Sequence, residues 1–380
     1  MKVSGTLPSS SSSSSLATVA QDHANPLAVD ASTVKSVLLF AADGTYWTSP
    51  VSNGSFSVSV DKGVATGMVF AGSSKQFLGY LSLGSGISSL PLTDVATGVT
   101  SIDLGSLTAA SQVLTPTNNP LGTELPLTAA EQTAYAQCNS LFAGVVQNPD
   151  VDGNGVIDLL EGKFYRPFVA YGVNGGHFNG RLTPTVDSSI AIHYFNITLT
   201  ANGTSDAASA TVTGPSGSGI TSQACTISTS STNNQTSYSI YSDLGSSTSA
   251  VPEAGSYVYT TGRGATLTIT VPDQSDASSH IVIAVPTVTL NTDNTIHSIS
   301  WAYQTVGGDQ ITTPSALISG FDLEIDRPIG TRVYNAYNLA ASVTSNIITS
   351  VSIPWDSKVR IYMAYNDVFL NHYVVTFTND

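Results

Sequence analysis

The sequence predicts an all-β protein: a tandem of β-sandwiches interrupted by one short helical insert. Three observations carry that prediction. Short stretches alternate polar and apolar residues with a period of two, as in Ser55-Phe56-Ser57-Val58-Ser59-Val60, Ile190 to Leu199 and Thr266 to Val271. Turn signals such as Asp43-Gly44 and Asn53-Gly54 punctuate them. From Ala129 to Val146 helix formers follow a capping pattern and carry an apolar stripe at helical spacing.

Taken in order, residues 1–118 form a first sandwich. Its strands are Val3 to Leu7, Val34 to Phe40, Gly44 to Trp47, Ser55 to Val60, Met68 to Ala71 and Phe77 to Leu81. The tract Ser9 to Ser15 sets the first of these apart as a strand followed by solvated linker. Residues 119–182 form a connector. Thr128 and Glu131 make a capping-box pattern, hydroxyl at the N-cap and carboxylate three residues on. Tyr135, Cys138, Leu141, Phe142 and Val145 recur at helical spacing as one apolar stripe. Asn148-Pro149 ends the helix, because the residue before Pro avoids the helical region. Gly172 to Gly180, which holds His177 with Asn174 and Asn179, is compatible with a binding loop, but its Gly content fits a plain interdomain linker better. Residues 183–285 form a middle sandwich, with strands at Ile190 to Leu199, near Tyr257 and at Thr266 to Val271. Residues 286–380 form the last, with strands at Ile296 to Tyr303, Phe321 to Asp326, Arg332 to Tyr337, Ile347 to Ile353, Val359 to Tyr365 and His372 to Phe377.

Composition narrows the function. Of 380 residues only 10% are charged, against about 25% in an average soluble protein. About one residue in four is Ser or Thr. There are 26 acidic and 12 basic residues, a net charge of -14. A nucleic-acid partner needs a basic surface, which this chain lacks. A coiled coil would be rich in Glu, Lys and Arg, and a disordered chain would lack the 41% hydrophobic content. No run approaches the ~18 apolar residues of a membrane span. Few lysines, much Ser, Thr and Gly, and an acidic balance fit an exported protein whose leader is absent from this chain, located extracellularly or at a cell surface. Cys138 and Cys225 are compatible with one bridge or with two free thiols.

One segment carries explicit chemistry. Asp150-Val151-Asp152-Gly153-Asn154-Gly155-Val156-Ile157-Asp158-Leu159-Leu160-Glu161 has the spacing of a twelve-residue calcium loop. Ca²⁺ is a hard cation that takes six to eight oxygens. Asp150, Asp152 and Asn154 would supply side-chain oxygens, Val156 its carbonyl, Asp158 an oxygen directly or through water, and Glu161 both of its oxygens. Gly155 would take the positive φ of the sharp turn, and Ile157 would anchor the loop to a core. Mg²⁺ fits less well, because it keeps its waters. The expected affinity is about 10⁻⁴ to 10⁻³ M or somewhat tighter.

This stretch resembles EF-hand, dockerin and thrombospondin type-3 calcium loops, the extracellular versions above all. Only one loop is present, and Lys163-Phe164-Tyr165-Arg166 runs straight into Pro167, so an exit helix and a groove-opening sensor are not expected. The order of strands around Asp43-Gly44 and Asn53-Gly54 resembles carboxypeptidase regulatory-like or Cna-B-type prealbumin sandwiches. Ser298-Ile299-Ser300-Trp301 with Arg360-Ile361-Tyr362-Met363-Ala364-Tyr365 resembles a fibronectin type III domain, which implies a core Trp on an early strand and a Tyr on the penultimate one. The fold expected is thus tandem Ig-like and prealbumin-like sandwiches with a calcium-loop insert.

No catalytic signature is found. Gly214-Pro215-Ser216-Gly217-Ser218 misses the nucleophile elbow by one residue. His23, His177, His193, His280, His297 and His372 are scattered, with no pair at metal-ligand spacing. The expectation is a non-enzymatic surface protein that binds calcium and an unidentified protein or glycan ligand. Two alternatives stay open: a subunit that self-assembles through strand edges into a filament or surface assembly, and a secreted hydrolase with paired carboxylates in a cleft.

Overall fold

A computed structural model describes residues 1–8, 29–93, 95–187, 192–202, 209–230, 232, 234–243, 253–262, 264, 266–273, 281–305, 308–311 and 317–379. The Ser tract, His23 and His280 lie outside the described residues. The protein is all-β, with four sheets and one long helix among those residues.

The first sheet holds nine strands. Eight run in the order Tyr46–Pro50, Ser36–Ala41, Ala65–Ala71, Phe77–Leu81, Val113–Pro116, Ser101–Ala110, Lys2–Thr6 and Ser55–Ser59, and Ser89–Pro91 adds to Ala65–Ala71. Alternation explains its faces: Phe56 and Val58 are buried, while Ser55, Ser57 and Ser59 are exposed. Lys2–Thr6 is not a detached arm. It lies inside the sheet, parallel to Ser101–Ala110 and antiparallel to Ser55–Ser59, and buries Val3.

The second sheet also holds nine strands. Its order is Thr226–Ser230, Gln235–Asp243, Ile192–Asn202, Phe164–His177, His372–Thr378, Arg360–Asp367, Ile318–Asp326 and Arg332–Leu339, with Thr185–Val186 added to Phe164–His177. This sheet crosses the boundaries expected at 182/183 and 285/286. The segment read as linker is its central strand. Tyr165, Pro167, Val169, Tyr171 and Val173 all point inward along it. Pro167 is tolerated because its missing N–H costs no ladder bond. Val169 N–H, two residues on and facing the same way, reaches Asn371 Oδ1 at 3.3 Å, and the pairing with His372–Thr378 starts only at Ala170. The Gly175-Gly176 pair marks close packing. A Cβ on Gly175 would sit 2.7 Å from the Phe377 ring, and one on Gly176 (φ +144°) would sit 2.1 Å from Thr185 O.

Two four-stranded sheets complete the structure. Gln223–Ala224, Ala210–Thr213, Gly255–Thr261 and Thr266–Val271 form one, tied to the second sheet by Tyr259, whose hydroxyl donates to Ile197 O at 2.8 Å. Val282–Leu290, Ile296–Thr305, Gln310–Ile311 and Ser345–Ile347 form the other, where the Tyr303 ring lies 5.0 Å from that of Phe321. Trp301 and Tyr365 are both buried, on the early strand and on the penultimate strand of the last unit. The strand expected at Ile347 to Ile353 is confined to Ser345–Ile347; Ile348 and Ile353 are buried without joining a strand.

The helix spans Ala129–Gln147, and both halves of the Thr128–Glu131 capping box form. It is the junction of the molecule. Tyr135 and the fully buried Asn139 reach Ser89 of the first sheet, the hydroxyls of Ser89 and Tyr135 lying 2.8 Å apart and Ser89 Oγ donating to Asn139 Oδ1 at 2.6 Å. Ser140 Oγ donates to Thr270 O at 2.9 Å, so the helix covers the outer edge of Thr266–Val271. Phe369, in the turn between the last two strands, places its ring 5.1 Å from Tyr135 and 5.5 Å from Phe142. Cys138 packs on the core close to the buried Asp367, and both cysteines are free thiols.

Candidate metal centre

The acidic loop lies between the helix and the central strand of the second sheet. It leaves the helix at Asn148, turns through Gly153 (φ 70°) and Gly155 (φ 91°), and closes in a 3₁₀ turn over Asp158–Glu161. Gly162 ends that turn in the left-handed conformation, and Phe164 starts the strand. No exit helix forms, because the chain must enter the sheet two residues later.

Apolar residues and backbone bonds fix the loop. Ile157 is fully buried, and Val151 and Leu159 nearly so. Ile157 N–H donates to Lys75 O at 3.0 Å, and Lys75 Nζ donates to Leu160 O at 3.3 Å, which clamps the loop to a turn of the first sheet. Tyr165, just beyond the loop, is buried in the second sheet. The loop therefore touches both neighbouring units.

The carboxylates converge. Asp150, Asp152 and Asp158 each place an oxygen within 4.8 Å of the others. Asp150 accepts Gly155 N–H at 2.8 Å and Asn154 N–H at 3.1 Å. Asn154 Oδ1 accepts Val156 N–H at 2.9 Å, while its Nδ2 donates to Glu161 Oε2 at 2.8 Å and Asp152 Oδ2 at 3.3 Å. Of the expected ligand set, Asp150, Asp152 and Asp158 converge; Glu161 is tied to them through Asn154 Nδ2, and Val156 enters through its N–H rather than its carbonyl.

Asp158 is the unusual member. It is 3% exposed, its Oδ2 accepts Val151 N–H at 2.7 Å, and its Oδ1 is buried with no partner. Such a buried acceptor without a donor costs about 1–3 kcal/mol, more if charged. Burial, with Asp152 and Asp150 adding repulsion, pushes its carboxyl up to about 8. Burial also raises Asp150, with repulsion from Asp152 adding to it. Glu161 is held below the usual carboxylate range, first by the Asn154 bond and then by Lys163.

Lys163 was not among the residues the motif picks out. Its Nζ lies 2.6 Å from Asp152 Oδ2 and 3.0 Å from Glu161 Oε2. A sequence signal for it exists: it is one of only six lysines, and it follows the last acidic residue of the loop by two positions.

No family model matches the chain, and no curated protein does. Solved structures overlap it, among them two of low identity. A tetra-tandem repeat in the extending region of a large adhesion protein is 13% identical, over 100% of this chain and 74% of that one, with a TM-score of 0.17. Dimeric latent PorU from Porphyromonas gingivalis is 9% identical, over 92% of this chain and 30% of that one, also with a TM-score of 0.17. This chain thus spans less than a third of the PorU structure. Overlaps of this degree assign the chain neither a family nor a function. Among the described residues no helix is long and apolar enough to cross a membrane.

Proposed function

We propose that this is an exported surface or extracellular scaffold protein that binds a protein or glycan ligand without catalysing a reaction, and that one structural Ca²⁺ at residues 150–161 fixes its domain arrangement. The observation that carries the calcium reading is Asp158, a buried carboxylate whose Oδ1 has no donor and which places an oxygen within 4.8 Å of those of Asp150 and Asp152. A divalent cation is the chemical species that such an oxygen lacks. Asp150, Asp152, Asp158 and Glu161 would hold it with Asn154 Oδ1 and the Val156 carbonyl, once the Asn154 amide turns from its present bonds. The ion supplies no chemistry beyond charge neutralisation. Bound only by the folded loop, it stabilises the contact of that loop with Lys75 on one side and the Phe164–His177 strand on the other. Export and surface location rest on composition. The test is calcium binding by the whole chain against Asp150→Ala with Glu161→Gln. Calcium should raise the melting temperature of the parent and leave that of the variant unchanged.

A second reading, self-assembly through strand edges, has one observation in its favour. Thr226–Ser230 ends the second sheet, carries no charge, and pairs with Gln235–Asp243 alone among the described strands. Size-exclusion chromatography with light scattering in calcium tests it: a uniform monomer removes it.

A further inference from the structure

We propose that Lys163 is a built-in competitor for the metal site, an internal cation that Ca²⁺ must displace and that sets the affinity of the loop. The inference rests on the calcium reading above. The Lys163 ammonium occupies two carboxylates of the ligand set, Asp152 Oδ2 at 2.6 Å and Glu161 Oε2 at 3.0 Å. Its position is fixed from the backbone. Gly162 turns the chain in the left-handed region, Lys163 N–H donates to Asp158 O at 2.9 Å, and the strand begins at the next residue. The ammonium is therefore delivered to the loop by the same turn that closes it.

The loop divides into two halves of different charge balance. Asp152 and Glu161, on the outer side, share the Lys163 ammonium and accept the Asn154 amide N–H₂. Asp150 and Asp158, on the inner side, have backbone donors only, and Asp158 Oδ1 has none. A cation taken up by all four carboxylates meets a positive charge already seated on two of them. Two cations on the same oxygens repel, so uptake releases the ammonium towards solvent. Two consequences follow. Affinity is lower than four carboxylates alone would give, and the metal-free loop stays folded because Lys163 holds its outer half together.

The test uses the full chain, with calcium itself as the probe. Lys163→Met keeps most of the stem and removes the charge. Calorimetric titration should show calcium binding tightened about tenfold, equivalent to about 1.4 kcal/mol, and the melting temperature in chelator should fall. Unchanged or weaker calcium binding by Lys163→Met overturns the proposal. A second measurement needs no variant: amine-reactive labelling of Lys163 read by mass spectrometry, with Lys62 as internal reference. Labelling should rise several-fold on adding calcium; constant labelling in a protein that binds calcium overturns the proposal. If neither the parent nor Lys163→Met binds calcium, the calcium reading itself fails, and this inference with it.

Discussion

Asp158→Asn separates the two roles of the buried carboxylate. In the parent, Asp158 Oδ2 accepts Val151 N–H and Oδ1 is unpartnered. Its carboxyl is raised from 3.8 to about 8, so the folded protein holds a proton there that the unfolded chain gives up. The sign follows. This group's contribution to stability is full below about pH 4, declines as pH rises towards 8, and is constant beyond. The rise from 3.8 to about 8 corresponds to between about 5 and 6 kcal/mol. That is an upper bound, because water entry and relaxation of the loop reduce the cost of a buried charge, and about 2 kcal/mol is the expected effect. Asn keeps the acceptor for Val151 N–H and turns an amide N–H₂ towards Asp150 and Asp152, with no charge to bury. In chelator at pH 8, Asp158→Asn should therefore be more stable than the parent by about 2 kcal/mol. At pH 4 the gap should close. In saturating calcium at pH 8 the order should reverse, since the variant loses a ligand. Urea denaturation in the three conditions decides it. A variant less stable than the parent in chelator at pH 8, or an equal gap at both pH values, would mean that Asp158 carries no buried-charge cost.

Three further substitutions test the packing around the site. Gly144→Ala should destabilise by about 1–3 kcal/mol in urea denaturation, although Ala favours a helix over Gly by about 1 kcal/mol, because its Cβ would lie 2.3 Å from Thr268 O. An equal or more stable variant would contradict the helix–strand contact. Phe369→Ala should cost about 3–5 kcal/mol and open the turn at residues 367–371 to limited proteolysis, since its ring fills the space between Tyr135 and Phe142. Gly176→Ala should lower stability through its clash with Thr185 O and its φ of +144°, whereas a true linker glycine would tolerate the change.

What the sequence made legible follows from how local each signal is. The helix was readable because its cap, stripe and stop all lie within about twenty residues of Thr128, in line with the length of an ordinary globular helix. The acidic loop was readable because coordination spacing is a short-range pattern, and the structure brings Asp150, Asp152 and Asp158 within 4.8 Å. The Phe164–His177 strand was not. Its glycines and Pro167 are turn residues on local grounds. Only the distant partners Thr185, Asn371 and Phe377 explain why a strand needs or tolerates them there. Lys2–Thr6 looks detached on local grounds for the same reason, since its partners Ser55–Ser59 and Ser101–Ala110 are far along the chain. At the site, the clamp from Lys75 and the outer-half ion pairs of Lys163 lay outside the twelve-residue pattern. One depends on a turn more than eighty residues away. The other is a cation, which a search for oxygen ligands passes over.

The low charge of the chain bears on its edges as well as on its site. Lys and Glu commonly guard strand edges against unwanted pairing, and this chain has few. The helix takes over that task for Thr266–Val271, through Ser140 and the Asn148 Nδ2 bond to Thr266 O at 3.4 Å. Thr226–Ser230 pairs with Gln235–Asp243 on one side only, among the described strands.

The most direct test is equilibrium calcium binding by the full chain, measured by titration calorimetry together with the melting temperature in chelator and in calcium. One calcium ion should bind per chain and raise the melting temperature, and Asp150→Ala with Glu161→Gln should lose both effects. A parent protein that takes up no calcium at millimolar concentration, or a variant that binds it equally well, rules out a structural calcium at residues 150–161.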